Sequence, residues 1–123
     1  LAAREVAERE CDEVVMLNQD GTVCSVSSGN LFAVLAGELV TPPLLVSGIA
    51  GTRRRLVLEQ LAPALGLAAC ERILTPDQLL HADEIFYCNS LRGLQPVKRL
   101  QGRHWREFPY CRALHTQYLD HLR

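Results

Sequence analysis

Two short segments have the composition of anion sites. Gly48-Ile49-Ala50-Gly51-Thr52-Arg53 stands directly before an apolar helical run, so free backbone N–H groups, a hydroxyl and the positive end of a helix dipole converge there. A phosphate would suit that place. Asn89-Ser90 follows the apolar run from Asp83 to Cys88 and supplies an amide and a hydroxyl where a strand stops, a common ligand position in α/β folds. Both patterns also serve structure alone, because Gly-Thr starts helices and polar residues close strands. Arg53, Arg54 and Arg55 read equally well as a solvated basic face. Amine chemistry is more constrained: Lys98 is the single lysine, so a reaction needing one uses Lys98 or brings a lysine from outside this chain.

Other chemistries find little support. His81, His104, His115 and His121 have no carboxylate or serine at suggestive spacing, so no catalytic triad is expected; His81 suits a helix C-terminus and the others surface or interface positions. Cys11, Cys24, Cys70, Cys88 and Cys111 form no C-x-x-C pair and have no His at ligand spacing. Buried free thiols are expected, with no disulfide framework and no metal site.

Across the whole chain, 123 residues that are 48% apolar and 22% charged suffice for one core, so a single domain over 1–123 is expected. Thirteen basic against fourteen acidic residues give a net charge of −1, and the basic residues do not interleave with aromatics, which argues against nucleic acid as a partner. No apolar run nears the roughly 20 residues that span a bilayer. No membrane association and a cytoplasmic location are expected. The first residue is Leu1, within a run of helix-forming composition, so a truncated or processed product is expected.

The elements that must position these residues read as follows. Leu1 to Cys11 has the composition of a helix tail. Glu13 to Leu17 and Thr22 to Val26 read as strands joined at Asn18-Gln19-Asp20-Gly21, and Leu31 to Leu35 and Leu39 to Thr41 as another pair joined at Ala36-Gly37-Glu38. Leu56, Leu58, Leu61 and Leu65 mark a helix stopping at Gly66, with its last turn distorted by Pro63. Ala68 to Leu74 reads as a strand, Thr75-Pro76-Asp77-Gln78 as a capped helix start, Asp83 to Cys88 and Gln95 to Leu100 as strands, and Arg106 to Arg123 as a closing helix. Trp105 and Phe108 read as a patch packing onto the rest of a larger protein, or else as core.

The order of the motifs is distinctive. Ser25-Val26-Ser27-Ser28-Gly29-Asn30-Leu31-Phe32, then Thr41, then Ile49-Ala50-Gly51-Thr52-Arg53-Arg54, then Asn89-Ser90 and Pro96-Val97 resemble the class IV aminotransferases, the fold type IV enzymes that use pyridoxal 5′-phosphate. The resemblance runs from about Leu1 to Val97, and Ala82 to Leu91 with Gln95-Pro96-Val97 looks most like the 4-amino-4-deoxychorismate lyases within that family. It implies an α/β fold with a mixed, partly barrel-like sheet and outer helices, the family's large domain. It implies also that Gly51, Thr52 and Arg53 bind the cofactor phosphate, that Ser90 with Asn89 makes a second phosphate contact, and that Asn30 lies on the strand beneath the cofactor ring. Leu91 to Gly93 would lie near the substrate side. A small-molecule substrate and a homodimer are implied partners.

Two departures shape the reading. The family places a glutamate five residues before the Asn, where it holds the protonated pyridine nitrogen; here that residue is Ser25. A hydroxyl leaves the nitrogen largely neutral, which favours elimination over transamination. The family's Schiff-base lysine precedes the matched region, and Lys98 does not correspond to it, so no catalytic residue is expected in this chain. The expected parent activity is conversion of 4-amino-4-deoxychorismate to 4-aminobenzoate and pyruvate. Alternatives are a transaminase of D- or branched-chain amino acids and a non-catalytic remnant serving dimerisation or ligand binding.

Overall fold

The computed structural model describes residues 4–6, 15–17, 20–26, 29–43, 52–89 and 93–121. Its centre is a five-stranded mixed sheet in the order β6 (Ala69–Glu71), β5 (Glu38–Thr41), β4 (Asn30–Leu35), β7 (Glu84–Asn89), β8 (Gly93–Pro96). All its pairs are antiparallel except β5 with β6. β4 and β7 are central because they are apolar on both faces. Leu31, Phe32, Ala33, Val34, Ile85, Phe86 and Cys88 are buried, and the rings of Phe32 and Phe86 stack at 5.2 Å.

A second, antiparallel sheet holds β1 (Arg4–Val6), β2 (Val15–Leu17) and β3 (Val23–Val26), and β3 lies against β4. The helix composition of Leu1 to Cys11 misleads at Arg4–Val6. These residues pair in register with Val15–Leu17, and ladder hydrogen bonds outweigh a helix propensity worth only tenths of a kcal/mol per residue. The other residues of that expected helix tail, and the Asn18-Gln19 half of the first turn, lie outside the described residues.

The parallel β5–β6 pair requires a crossover, and the chain supplies it between Thr52 and Ala64. α1 (Thr52–Leu56) runs into a π-helical turn (Val57–Leu61) and then α2 (Ala62–Ala64). The distortion ascribed to Pro63 falls just ahead of it: proline has no N–H, and the Ala62 N–H instead reaches back five residues to the Val57 carbonyl. Gly66, with φ of +70°, closes the helix, and the Leu67 N–H bonds the Ala62 carbonyl at 3.0 Å. β6 ends at Glu71, earlier than the apolar run suggested.

Thr75 caps α3 (Pro76–Leu80) in a complete capping box with Gln78, and His81 at its C-terminal end sets Nδ1 at 2.8 Å from the Asp77 carbonyl. The expected strand from Gln95 to Leu100 is two strands. β8 ends at Pro96, while β9 (Arg99–Leu100) pairs with β10 (Arg103–His104) around Gln101 and Gly102, both with positive φ.

α4 (Pro109–His121) is pinned to the sheet by a buried carboxylate. Glu84, 2% exposed, accepts the Tyr110 N–H at 2.8 Å and the Cys111 N–H at 3.0 Å, so a side chain from β7 caps a helix whose Phe108 has no acceptor to offer. Pro109 has no N–H, and the Arg112 N–H bonds the Phe108 carbonyl, so the first turn of α4 leaves no donor orphaned. Burial raises the Glu84 carboxyl above its ordinary range, while those two N–H groups pull it down. Trp105 and Phe108 are core: both are buried, and the indole N–H donates to the Ala82 carbonyl at 2.9 Å.

Candidate functional site

Strand register places two of the sequence candidates, Asn30 and Asn89, at one end of the large sheet. Asn30 faces Cys88 across the β4–β7 ladder, and the next residue of β7, Asn89, faces Gly93 of β8. Ala33 faces Val40, so β5 leaves the sheet at this same end through Thr41 and Pro42. The Thr41 hydroxyl donates to the Leu31 carbonyl at 2.7 Å, and Thr41 itself is buried. Because β6 is parallel to β5, with Thr41 beside Glu71, the crossover helix must begin where β5 ends. The α1 start at Thr52 is thereby brought to the end occupied by Asn30 and Asn89.

Arg54 fastens that corner. Helical side chains lean toward the N-terminus, so a residue in the first turn reaches back over the helix start. Arg54 Nη2 donates to the Pro42 carbonyl at 3.1 Å and pairs with the Glu71 carboxylate, joining the ends of β5 and β6 to α1. The basic triplet is therefore not one solvated face: Arg55 is exposed and pairs with Glu59, whereas Arg54 is 6% exposed. A signal for this existed in the sequence. Arg54, Val57 and Leu61 stand at i, i+3 and i+7, the positions of one buried helix face.

Of the predicted residues, Asn30 is half-buried on β4. Ser25 is half-buried on β3, across from Met16, in the small sheet that lies against β4. The backbones of Thr52, Arg53 and Asn89 are placed as above; their side chains, and all of Gly51 and Ser90, lie outside the described residues. Gly93, which the sequence put only near the substrate side, is fixed by two constraints. Its φ is +75°, and a Cβ there would stand 2.8 Å from Tyr118 Cε2 on α4.

Lys98 is elsewhere. β8 runs away from Gly93, the Val97 N–H bonds the Ile85 carbonyl, and Lys98 follows at the level of Glu84. At about 3.3 Å per strand residue, the five residues from Asn89 to Glu84 put roughly 17 Å between Lys98 and the Asn89 end. Cys24, Cys70, Cys88 and Cys111 are free, and among the described residues no group of His, Cys, Asp and Glu could hold a metal ion. Nor, among them, is any helix long and apolar enough to cross a membrane.

The chemistry of this sheet end suits a phosphate. The first turn of α1 contains no acidic residue, its leading N–H groups have no intrahelical partner, and Arg54 Nε is buried with no hydrogen-bond partner among the described residues. A buried donor left unmade costs about 1–3 kcal/mol, which an anion oxygen would recover.

Comparison with known proteins identifies the family. Residues 1–100 match the family described as amino-transferase class IV. An aminodeoxychorismate lyase of Vibrio harveyi is 40% identical over 102 residues, covering 83% of this chain and 37% of that protein. A probable branched-chain-amino-acid aminotransferase of Synechocystis is 34% identical over 102 residues, covering 83% of this chain and 33% of that protein. Among solved structures, the 4-amino-4-deoxychorismate lyase of Pseudomonas aeruginosa superposes with a TM-score of 0.81 at 36% identity, covering 88% of this chain and 40% of that one. The mixed α/β fold is thus that of class IV aminotransferase structures. The chain spans about a third of the length of the curated relatives it matches. By its motifs, its fold and the match over its first hundred residues, the chain belongs to the class IV aminotransferase family.

Proposed function

We propose that the whole protein is a pyridoxal 5′-phosphate-dependent lyase that converts 4-amino-4-deoxychorismate to 4-aminobenzoate and pyruvate, with residues 1–123 as its cofactor-binding large domain. The observation that carries the cofactor reading is the convergence of the α1 start, Asn30 and Asn89 beside buried Arg54 at one sheet end. The preference for elimination rests on Ser25; the relatives include a lyase at 40% identity and probable aminotransferases at 37% and 34%.

When bound, the cofactor supplies an electron-withdrawing ring that stabilises negative charge on the substrate. This chain's residues hold and orient it. Gly51, Thr52 and Arg53 would hold the phosphate, and Ser90 with Asn89 would offer a second hydroxyl and amide. Arg54 keeps the ends of β5 and β6 in place against α1. Asn30, on β4, would support the ring, and Ser25 would offer a hydroxyl to the ring nitrogen where the family has a carboxylate. The lysine that would engage the cofactor and move the substrate proton would come from outside these 123 residues, because Lys98 lies past the far end of β8, level with Glu84. This chain alone is accordingly inactive, and the complete protein works as a cytoplasmic homodimer.

Product analysis of the complete gene product tests the reading. 4-Aminobenzoate and pyruvate in equal amounts are expected. An amino acid and a keto acid would instead favour transamination of D- or branched-chain substrates, the reading to which the Synechocystis relative points. Two further checks bear on named residues. Borohydride reduction of the 123-residue chain with pyridoxal 5′-phosphate should leave Lys98 unlabelled, and Ser25→Glu in the complete protein should change the cofactor spectrum and raise side transamination. A stoichiometric label on Lys98, or an unchanged spectrum, would overturn the respective assignment.

A further inference from the structure

A groove of about 800 Å³ runs between β8 with its following loop and the first half of α4. Its floor is apolar and partly aromatic, built from Leu94, Trp105, Phe108 and Cys111, all buried. Its rim is cationic: Lys98, Arg106 and Arg112 line it, and among the described residues no carboxylate does. In a chain with net charge −1, Arg106 and Arg112 on one rim are a local concentration of positive charge and not a reflection of composition. Arg106 and Arg112 are exposed, and neither forms an ion pair with a described residue, so both guanidinium forks are available to a carboxylate. The volume is that of small-molecule sites, and a flat apolar floor with charge confined to the rim selects a ligand with the reverse distribution.

We propose that this groove binds a small aromatic carboxylate, its ring on the Trp105–Phe108 floor and its carboxylate held by Arg106 and Arg112. The inference does not rest on the cofactor reading, and its test needs no cofactor. Trp105 is the only tryptophan of the chain, so its fluorescence reports the groove directly. The 123-residue chain is titrated with 4-nitrobenzoate, a ring that quenches indole emission and carries one carboxylate, and in parallel with 4-nitrobenzamide, the same ring without charge.

Saturable quenching by the acid alone is expected, weakened at least about tenfold in R106A/R112A and by half-molar salt, with R106K/R112K falling between wild type and the alanine variant. Both arginines are exposed, so these variants leave the core untouched. Linear quenching of equal slope by acid and amide would overturn the proposal, as would saturation that survives loss of both arginines. A glutamate-rich peptide that saturates the signal while 4-nitrobenzoate does not would assign the groove to a protein partner and overturn it too.

Discussion

Gly93→Ala addresses two separable costs at one position beside the candidate site. The native φ of +75° lies in the left-handed region, where a Cβ costs about 1–2 kcal/mol. The added methyl would also stand 2.8 Å from Tyr118 Cε2 and 3.1 Å from His115 Cε1, an overpacking worth typically about 1–3 kcal/mol because α4 is held down along its length. The sum is about 2–5 kcal/mol, a large part of the stability of an ordinary domain. Urea unfolding of wild type, Gly93→Ala, Tyr118→Ala and the double variant resolves the two parts. Tyr118→Ala opens space above Gly93 and relieves the contact but not the backbone strain, so the cycle should show a favourable coupling of about 1–2 kcal/mol with the conformational cost remaining. Gly93→Ala within about 0.5 kcal/mol of wild type, or strictly additive single effects, would refute the reasoning.

Glu84→Gln should destabilise the chain by about 1–3 kcal/mol, because an amide can accept only one of the two N–H groups that the carboxylate takes. Burial raises the Glu84 carboxyl, so the folded state binds its proton more tightly than the unfolded state. The wild type therefore loses stability as pH rises from the ordinary glutamate range through the raised value, while the variant does not; a difference that is constant across that window would refute the assignment. Arg54→Lys should weaken binding of pyridoxal 5′-phosphate by about tenfold in equilibrium dialysis, since a point charge cannot replace the guanidinium fork, whereas Arg55→Ala should leave it unchanged. Cys111, its thiol pushed up to about 12 by burial and by the neighbouring Glu84, should resist iodoacetamide in the folded chain, as should buried Cys88. Among the four described cysteines, mass spectrometry should find Cys24 and Cys70 modified first.

The legible parts of the sequence were those governed by local chemistry. Thr75-Pro76-Asp77-Gln78 forms its capping box because every bond in it lies within four residues. Leu31 to Leu35 and Asp83 to Cys88 are apolar enough to leave a central strand as the natural outcome, and β4 and β7 follow. Distant pairing decided the rest. Arg4–Val6 takes its conformation from Val15–Leu17, and Trp105 is buried because the Ala82 carbonyl, 23 residues away, receives its indole N–H. Arg54 was hidden among three arginines because adjacent residues look alike in a sequence and diverge by about 100° on a helix. The motif order named the candidate residues, but the approach of the α1 start to Asn30 and Asn89 at one sheet end required the parallel β5–β6 pair, which no local signal announces.

The carboxylate that caps α4 belongs to a residue 27 positions from Cys111, whose N–H it accepts. An isolated helix of this length is marginal in water, and this one has no acceptor of its own at the N-terminal end. Its formation is therefore conditional on β7 having already joined the sheet, a long loop closed before the reward arrives. α4 thus acts as a folding checkpoint: a chain with a misregistered central strand would carry an uncapped, fraying helix, visible to proteases and chaperones while the rest is still correctable.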